Sequence, residues 1–284
     1  MGKIAFVTDS TAYIPDQLIN KYNISVVPQV LVWGDNTYLD GVDIKPDEFY
    51  SRLKTSRIMP TTSQVSFITM QLIFRSLVEN GAEVLGVFIS EKLSGTILSA
   101  LRGRDAMGNA GCKVTILDSH STSMAMGFQI LAAVRIAEMG ASLTECKELI
   151  ERAREHVGVY FVLSTLEYLH RGGRIGGAQR FLGSALNLKP VLELKDGRVE
   201  AEDRVRTMKK ALDHLMELVS ERIKDKSKIH LAALHANAEQ EALDLLARAN
   251  KQFDPVESLI SSVSPVVGTH AGPGTVGLAF MEGI

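Results

Sequence analysis

The segment Gly268-Thr269-His270-Ala271-Gly272-Pro273-Gly274 sets one titratable ring among glycines that permit unusual backbone angles. Pro273 fixes its own φ and stiffens what the glycines loosen. Such a loop brings backbone amides close to a ligand, or it is a tight turn carrying a surface histidine. The spacing Gly272-x-Gly274-x-x-Gly277 does not make a dinucleotide site. That fingerprint opens a helix inside a βαβ unit and needs an acidic residue about 20 positions on, whereas seven residues follow Gly277.

A second Gly-rich loop, Arg171-Gly-Gly-Arg174-Ile-Gly-Gly177, carries two cations. No lysine-hydroxyl pair follows it, so it is not a P-loop. It suits a phosphate or an exposed turn between helices. Four clusters of hydroxyls complete the candidates: Thr8-Asp9-Ser10-Thr11, Thr61-Thr62-Ser63-Gln64, Ser90 to Thr96 with Ser94 and Gly95, and Asp118 to Ser123 with Ser119. Three of them follow predicted strands, where open α/β sheets bind ligands. Each hydroxyl is also a good helix cap. Together, hydroxyls and helix N-termini form a site for a small anion. A Ser94–His270 dyad is the hydrolase alternative, but there is no G-x-S-x-G elbow and no identifiable orienting carboxylate. His230 and His235, five apart on a strand, face opposite sides and cannot share an ion. The remaining histidines show no ligand spacing, so no metal is expected.

The elements that must position these residues alternate along the first half. Ile4–Thr8, Glu83–Ile89 and Lys113–Asp118 read as buried strands. Pro15–Lys21, Lys45–Lys54, Ser66–Asn80, Gly95–Ala106 and Ser123–Met139 read as helices, and Ser142-Leu-Thr-Glu145 as a capping box opening another. This rhythm predicts a parallel sheet with helices on both faces. Ser25–Trp33 is β-rich, with Pro28 at an edge or bulge. In the second half, Lys189–Lys195 and Arg198–Val205 flank Asp196-Gly197, a hairpin signal. With Val157–Leu163, Ile229–His235, Val256–Val263 and Thr275–Phe280 they make six strands in a mixed sheet. Helices cover Thr207–Lys224 and Glu239–Lys251. The expected organisation is α/β throughout: a three-layer parallel domain over 1–155 with the hydroxyl loops, then a mixed-sheet domain over 156–284 with the Gly-rich loops. A pocket is expected where they meet.

With 284 residues, 45% hydrophobic and 23% charged, the chain has the composition of a globular protein. Its 31 basic and 33 acidic residues argue against a nucleic-acid footprint, which needs a basic face. No apolar run approaches the roughly 20 residues of a membrane span. No signal peptide is evident, and Cys112 and Cys146 stand far apart, so a cytoplasmic address is expected.

Five motifs in order, Thr8-Asp9-Ser10-Thr11-Ala12, Thr62-Ser63-Gln64-Val65-Ser66, Leu93-Ser94-Gly95-Thr96, Arg171-Gly-Gly-Arg174-Ile175 and Thr269 to Gly274, resemble the DegV family over nearly the whole chain. Val65 departs from the family's usual proline. The resemblance implies no cofactor and no catalysis by this chain alone. It implies a carrier that buries a long-chain fatty acid and presents its carboxylate to a separate ATP-dependent kinase for acyl-phosphate formation. Carried over by motif, Thr62 and Ser94 hold the carboxylate, with Ser10, Thr11, Ser63, Gly95, Thr96 and Ser119 in nearby head-group loops. His270 and Arg171 support phosphotransfer, and Arg174 lies at the partner-docking loop. A C16 tail offers about 15 carbons at ~0.8 kcal/mol each, an upper bound near ~12 kcal/mol. The tail then supplies affinity and the head group supplies orientation.

Overall fold

The structure, a computed structural model, describes residues 3–183 and 188–284. In chain order, the first half runs β1 (Lys3–Asp9), α1 (Asp16–Tyr22), β2 (Ser25–Val27), β3 (Val30–Trp33), β4 (Asn36–Leu39), α2 (Pro46–Leu53), β5 (Thr61–Ser63) and α3 (Phe67–Glu79). It continues with β6 (Ala82–Phe88), α4 (Thr96–Asp105), β7 (Val114–Asp118), α5 (Ser123–Glu138) and α6 (Leu143–His156). The second half runs β8 (Val157–Val162), α7 (Glu167–Arg171), β9 (Lys189–Lys195), β10 (Arg198–Val205), α8 (Met208–Arg222) and β11 (Ile229–His235). It ends with α9 (Glu239–Phe253), β12 (Glu257–Ser262), α10 (Pro265–Ala271) and β13 (Val276–Glu282).

Local chemistry accounts for many boundaries. Ser66 caps α3 through the Thr69 N–H, Thr207 caps α8, and Ser142 and Glu145 close the expected capping box on α6. Asp196 and Gly197 both take positive φ, the condition for a two-residue hairpin turn.

Strands β2-β1-β6-β7 form a parallel sheet, and β10-β9-β8-β13-β11-β12 form the six-stranded mixed sheet, both as expected. The sequence does not announce a third sheet, β4-β3-β5. The Ser25–Trp33 run splits at Pro28: β2 joins the edge of the parallel sheet, while β3 leaves to pair antiparallel with β4 and β5. Proline cannot donate to a ladder, so the break falls there.

Helices α3 and α4 cover one face of the parallel sheet around Val7, Phe74, Val84 and Ile97. Helices α8 and α9 cover the outer face of the mixed sheet around Leu215, Leu231, Leu245 and Phe280. Between the two sheets lies α5, buried from Ser123 to Val134 and packed against both. Its apolar residues belong to one continuous core with Leu85, Val159 and Ala279. A helix buried all round has no face to give to water. The two halves therefore share a core, and the space left beside α5 is where a cavity forms.

Candidate functional site

A cavity of about 450 Å³ lies between the halves, within the range of about 300–1,000 Å³ typical of ligand sites. Its apolar wall comes mainly from the inner face of the mixed sheet: Val159 and Phe161 of β8, Leu194 of β9, Val199 of β10 and Leu234 of β11. Strand periodicity sends Val159 and Phe161 inward, while Tyr160 and Val162 pack outward towards α8. At the centre of the sheet, Gly277 exposes bare backbone to the cavity, and a β-carbon there would meet Phe161. Ile89 and Leu93 close the opposite side.

One part of the wall is polar. Thr62, Ser63 and Gln64 arrive from β5 and its end, Ser94 and Gly95 from the loop before α4, and His270 from the last turn of α10. Thr62 Oγ1 and His270 Nε2 are 2.9 Å apart and share a hydrogen bond across the two halves. Ser94 Oγ is 2.8 Å from Thr96 Oγ1, which also accepts a 2.7 Å bond from Gln29 Nε2. Helix α4 starts here with Gly95 at its N-cap and no side-chain cap. Its first-turn N–H groups lack intrahelical partners and favour an anion.

The electrostatics are those of a neutral donor site. Burial, with the nearby Arg174 guanidinium second, holds His270 down at about 4 from its ordinary 6.5. The ring is uncharged near neutrality, and its buried Nδ1 has no hydrogen-bond partner. The nearest cation is Arg174, which donates to Leu93 O at 3.1 Å and Gly172 O at 2.7 Å. Among the described residues, no group of three His, Cys, Asp or Glu side chains is arranged to hold a metal.

Thr11, Thr62, Ser63, Ser94, Gly95 and His270 line the cavity. Thr96 stands directly behind Ser94. Ser10 and Ser119 do not line it. Ser10 donates to Asp40 at 2.6 Å, and Asp40 in turn accepts from Val266 N in the first turn of α10. Ser119 closes a local turn with Ser121 and accepts from Gln129. The arginines change places. Arg171, expected at the phosphotransfer end, terminates α7 and pairs on the surface with Glu167 at 2.6 Å. Arg174, expected on an exposed docking loop, is half-buried and lines the cavity. The helical turn of α7 explains this: residues 167 and 171 lie on one face, four apart.

The expected His270 loop is also corrected. Residues 265–271 form α10, with Pro265 in its first turn. The glycines bring protein close to protein rather than amides close to a ligand. Gly272, at φ 79°, packs on Tyr168, and Gly172 packs on the His270 ring, each where a β-carbon would collide. The two Gly-rich motifs are thus one contact, fitting the ring against α7.

Sequence reading missed Gln29 and Tyr13, which also line the cavity. Gln29 is a fully buried amide between apolar strands, and a lone amide in a β-rich run is the signal that marks it. Tyr13 takes a left-handed backbone, φ 56°, and no sequence feature marks that.

The sequence model described as "Uncharacterised protein, DegV family" matches residues 3–283. Protein DegV of Bacillus subtilis is 33% identical over 98% of both chains. A DegV domain-containing protein of Streptomyces coelicolor is 35% identical over 97% of both. Among solved structures, a fatty-acid-binding DegV family protein from Thermus thermophilus superimposes with a TM-score of 0.93 at 36% identity, covering 99% of each chain. B. subtilis DegV, described as a fatty acid binding protein, superimposes with a TM-score of 0.90 at 30% identity over the whole of both chains. A shared fold with these proteins, matched end to end in sequence, establishes that the chain belongs to the DegV family.

Proposed function

We propose that this protein is a cytoplasmic carrier that buries a long-chain fatty acid in the cavity between its halves, with the carboxylate against Thr62 and Ser94. The observation that carries the reading is the division of the wall: apolar side chains from four strands, and hydroxyls gathered beside the N-terminus of α4. An apolar tail gains by leaving water, and a buried carboxylate needs donors. Relatives of the same fold at 36% and 30% identity bind fatty acids, which supports the same ligand class here.

Neutral donors suit a carboxylate that must later react. A buried ion pair would hold both oxygens and lower their nucleophilicity, whereas hydroxyls satisfy the charge and leave an oxygen free. For Thr62 to donate to the carboxylate, its oxygen must accept from His270, so the Nε2–H tautomer is the productive one. The acceptor of the phosphoryl group is then the fatty acid, and the ATP-dependent kinase is a separate protein. Arg174 adds positive charge at the head-group end, where phosphate charge accumulates during transfer. In this reading Arg171, exposed on the outer face of α7, meets the kinase.

Mass spectrometry of the denatured purified protein tests the ligand class. We expect a long-chain fatty acid at near-stoichiometric occupancy, or its uptake when delipidated protein is given palmitate or oleate. Protein that is empty and takes up neither sinks the carrier reading. A hydrolase reading finds no support in the geometry: Ser94 bonds Thr96 rather than His270, and the His270 Nδ1 meets no carboxylate.

A further inference from the structure

Behind Ser94 stands a chain of hydrogen bonds that runs back to the buried Gln29 amide. Asp9 is fully buried and works only as an acceptor: its Oδ1 takes the Thr11 N–H at 3.0 Å and the Thr11 hydroxyl at 2.6 Å, and its Oδ2 takes the Ile89 N–H at 2.9 Å. Burial raises the Asp9 carboxyl above its ordinary range, against these hydrogen bonds and the nearby Gln29 amide, which favour the charged form. Gln29 turns the nitrogen end of its amide towards Thr96. That nitrogen donates to Thr96 Oγ1 at 2.7 Å. With its oxygen already accepting from Gln29, Thr96 has its own proton to give, and the hydroxyl 2.8 Å away is Ser94. With Thr96 as the donor of this pair, Ser94 accepts and keeps its single proton for the cavity that it lines.

We infer that Gln29 is a positioning residue for head-group selection: donating from its buried site, it polarises Thr96 so that Ser94 presents a proton rather than a lone pair, and the cavity prefers a carboxylate to a neutral head group. This inference rests on the fatty-acid reading and deepens it. A hydroxyl free to rotate serves a fatty alcohol and a fatty acid alike. A hydroxyl that already accepts from behind has its proton to offer the ligand, and that donor is best matched by an anionic acceptor. Gln29 and Thr96 are both buried, so water does not replace either partner freely.

The test is a comparison of affinity for palmitate and for hexadecanol, by displacement of a fluorescent fatty acid from delipidated protein, in the parent and in three variants. Gln29→Met removes the donor at similar length. Thr96→Val removes the middle hydroxyl at nearly the same shape. The third variant combines them. Each single change is expected to lower the acid-over-alcohol preference about tenfold while hexadecanol binding holds. The double variant should lose the same tenfold, not a hundredfold, because both changes cut one chain. A purely structural role would weaken both lipids in parallel and leave their ratio alone. Unchanged ratios in the single variants, or independent losses that multiply in the double, overturn the relay. If Gln29→Met does not fold, the ratio in Thr96→Val decides alone. A parent protein that binds neither lipid overturns the fatty-acid reading and the relay with it. A parent that binds palmitate, with variants of unchanged ratio, overturns the relay only.

Discussion

Thr62 and Ser94 line one cavity, but they are wired to different parts of the molecule. Ser94 is backed by Thr96 and Gln29, all within the first half of the chain. Thr62 is backed by His270, 208 residues away on α10, across the interface between the halves. The Ser94 hydroxyl is therefore set by the loops around one sheet, and the second half touches that arm at the neighbouring Leu93 O, through Arg174. The Thr62 arm holds only while the mixed-sheet half is docked, and docking depends on contacts such as Asp40 on the α10 N-terminus and Tyr50 donating to Val263 O at 3.0 Å. One donor is fixed locally, and the other reports whether the cavity is closed.

The largest expected effect breaks this comparison directly. Thr62→Ala and Ser94→Ala each remove a hydrogen bond to a charged head group, at about 1.5–3 kcal/mol each. Thr62→Ala should be the worse of the two. It leaves the His270 ring with neither nitrogen bonded, whereas Ser94→Ala leaves Thr96 still held by Gln29. The double variant should retain only the weak binding that the tail supports. Fluorescent fatty-acid displacement measures all three, with Thr62→Ser expected to recover most of the loss. Equal losses from the two single variants would erase the proposed difference between the arms.

A middle-sized effect belongs to the ring of the crossing arm. His270 has an ordinary value of 6.5 when unfolded and about 4 when folded, because burial and then Arg174 disfavour the charged form. Between those values the unfolded chain binds more protons. Stability from this group is whole above about pH 6.5, declines as the pH falls, and has all been lost below about pH 4. At 1.36 kcal/mol per pKa unit the loss approaches roughly 3 kcal/mol. His270→Gln keeps a nitrogen donor and removes the titration, so its stability should fall less than the parent's across that interval. Asp40, raised by burial to about 6, and His235, lowered by burial, titrate in both proteins and cancel in the difference. Chemical denaturation at several pH values measures it. Parallel curves for the two proteins would mean that the ring titrates alike folded and unfolded.

What the sequence made legible follows the same division. The hydroxyl clusters sit at ends of strongly patterned strands, so periodicity alone places Thr11, Ser94 and Gly95 near one edge of the parallel sheet. The hairpin at Asp196-Gly197 and the six strands of the mixed sheet were equally readable from local signals. The Thr62–His270 contact was not, because no local rule joins β5 to α10. Nor was the third sheet, whose strands are three or four residues long and exist through each other. Glycine misled most: Gly172 and Gly272 suggested backbone open to a ligand, and instead they admit the His270 ring and Tyr168 into contact. Composition registers that a β-carbon is missing, but only the fold says what occupies the space.

The smallest effect on the chain itself concerns Arg171, and it sharpens the contrast between the inner and outer faces of one loop. Arg171 and Arg174 are three residues apart, yet Arg171 is paired with Glu167 in water, with side chains 57% and 53% exposed, while Arg174 reaches the cavity wall. An exposed i,i+4 pair contributes about 0.3–0.5 kcal/mol, so Arg171→Ala should barely shift unfolding. Fatty-acid occupancy should also stay at the parent level, because the residue does not line the cavity. If the outer face of α7 meets the kinase, acyl-phosphate formation with the kinase and ATP added should drop in Arg171→Ala even though ligand is still bound. Arg174→Ala should behave differently, losing fatty-acid retention as well, since its guanidinium braces Leu93 O beside Ser94. The comparison is read by running occupancy and phosphorylation on the same samples. Undiminished phosphorylation in Arg171→Ala would leave it a surface pair on a short helix, and the kinase would have to approach the head group from another side.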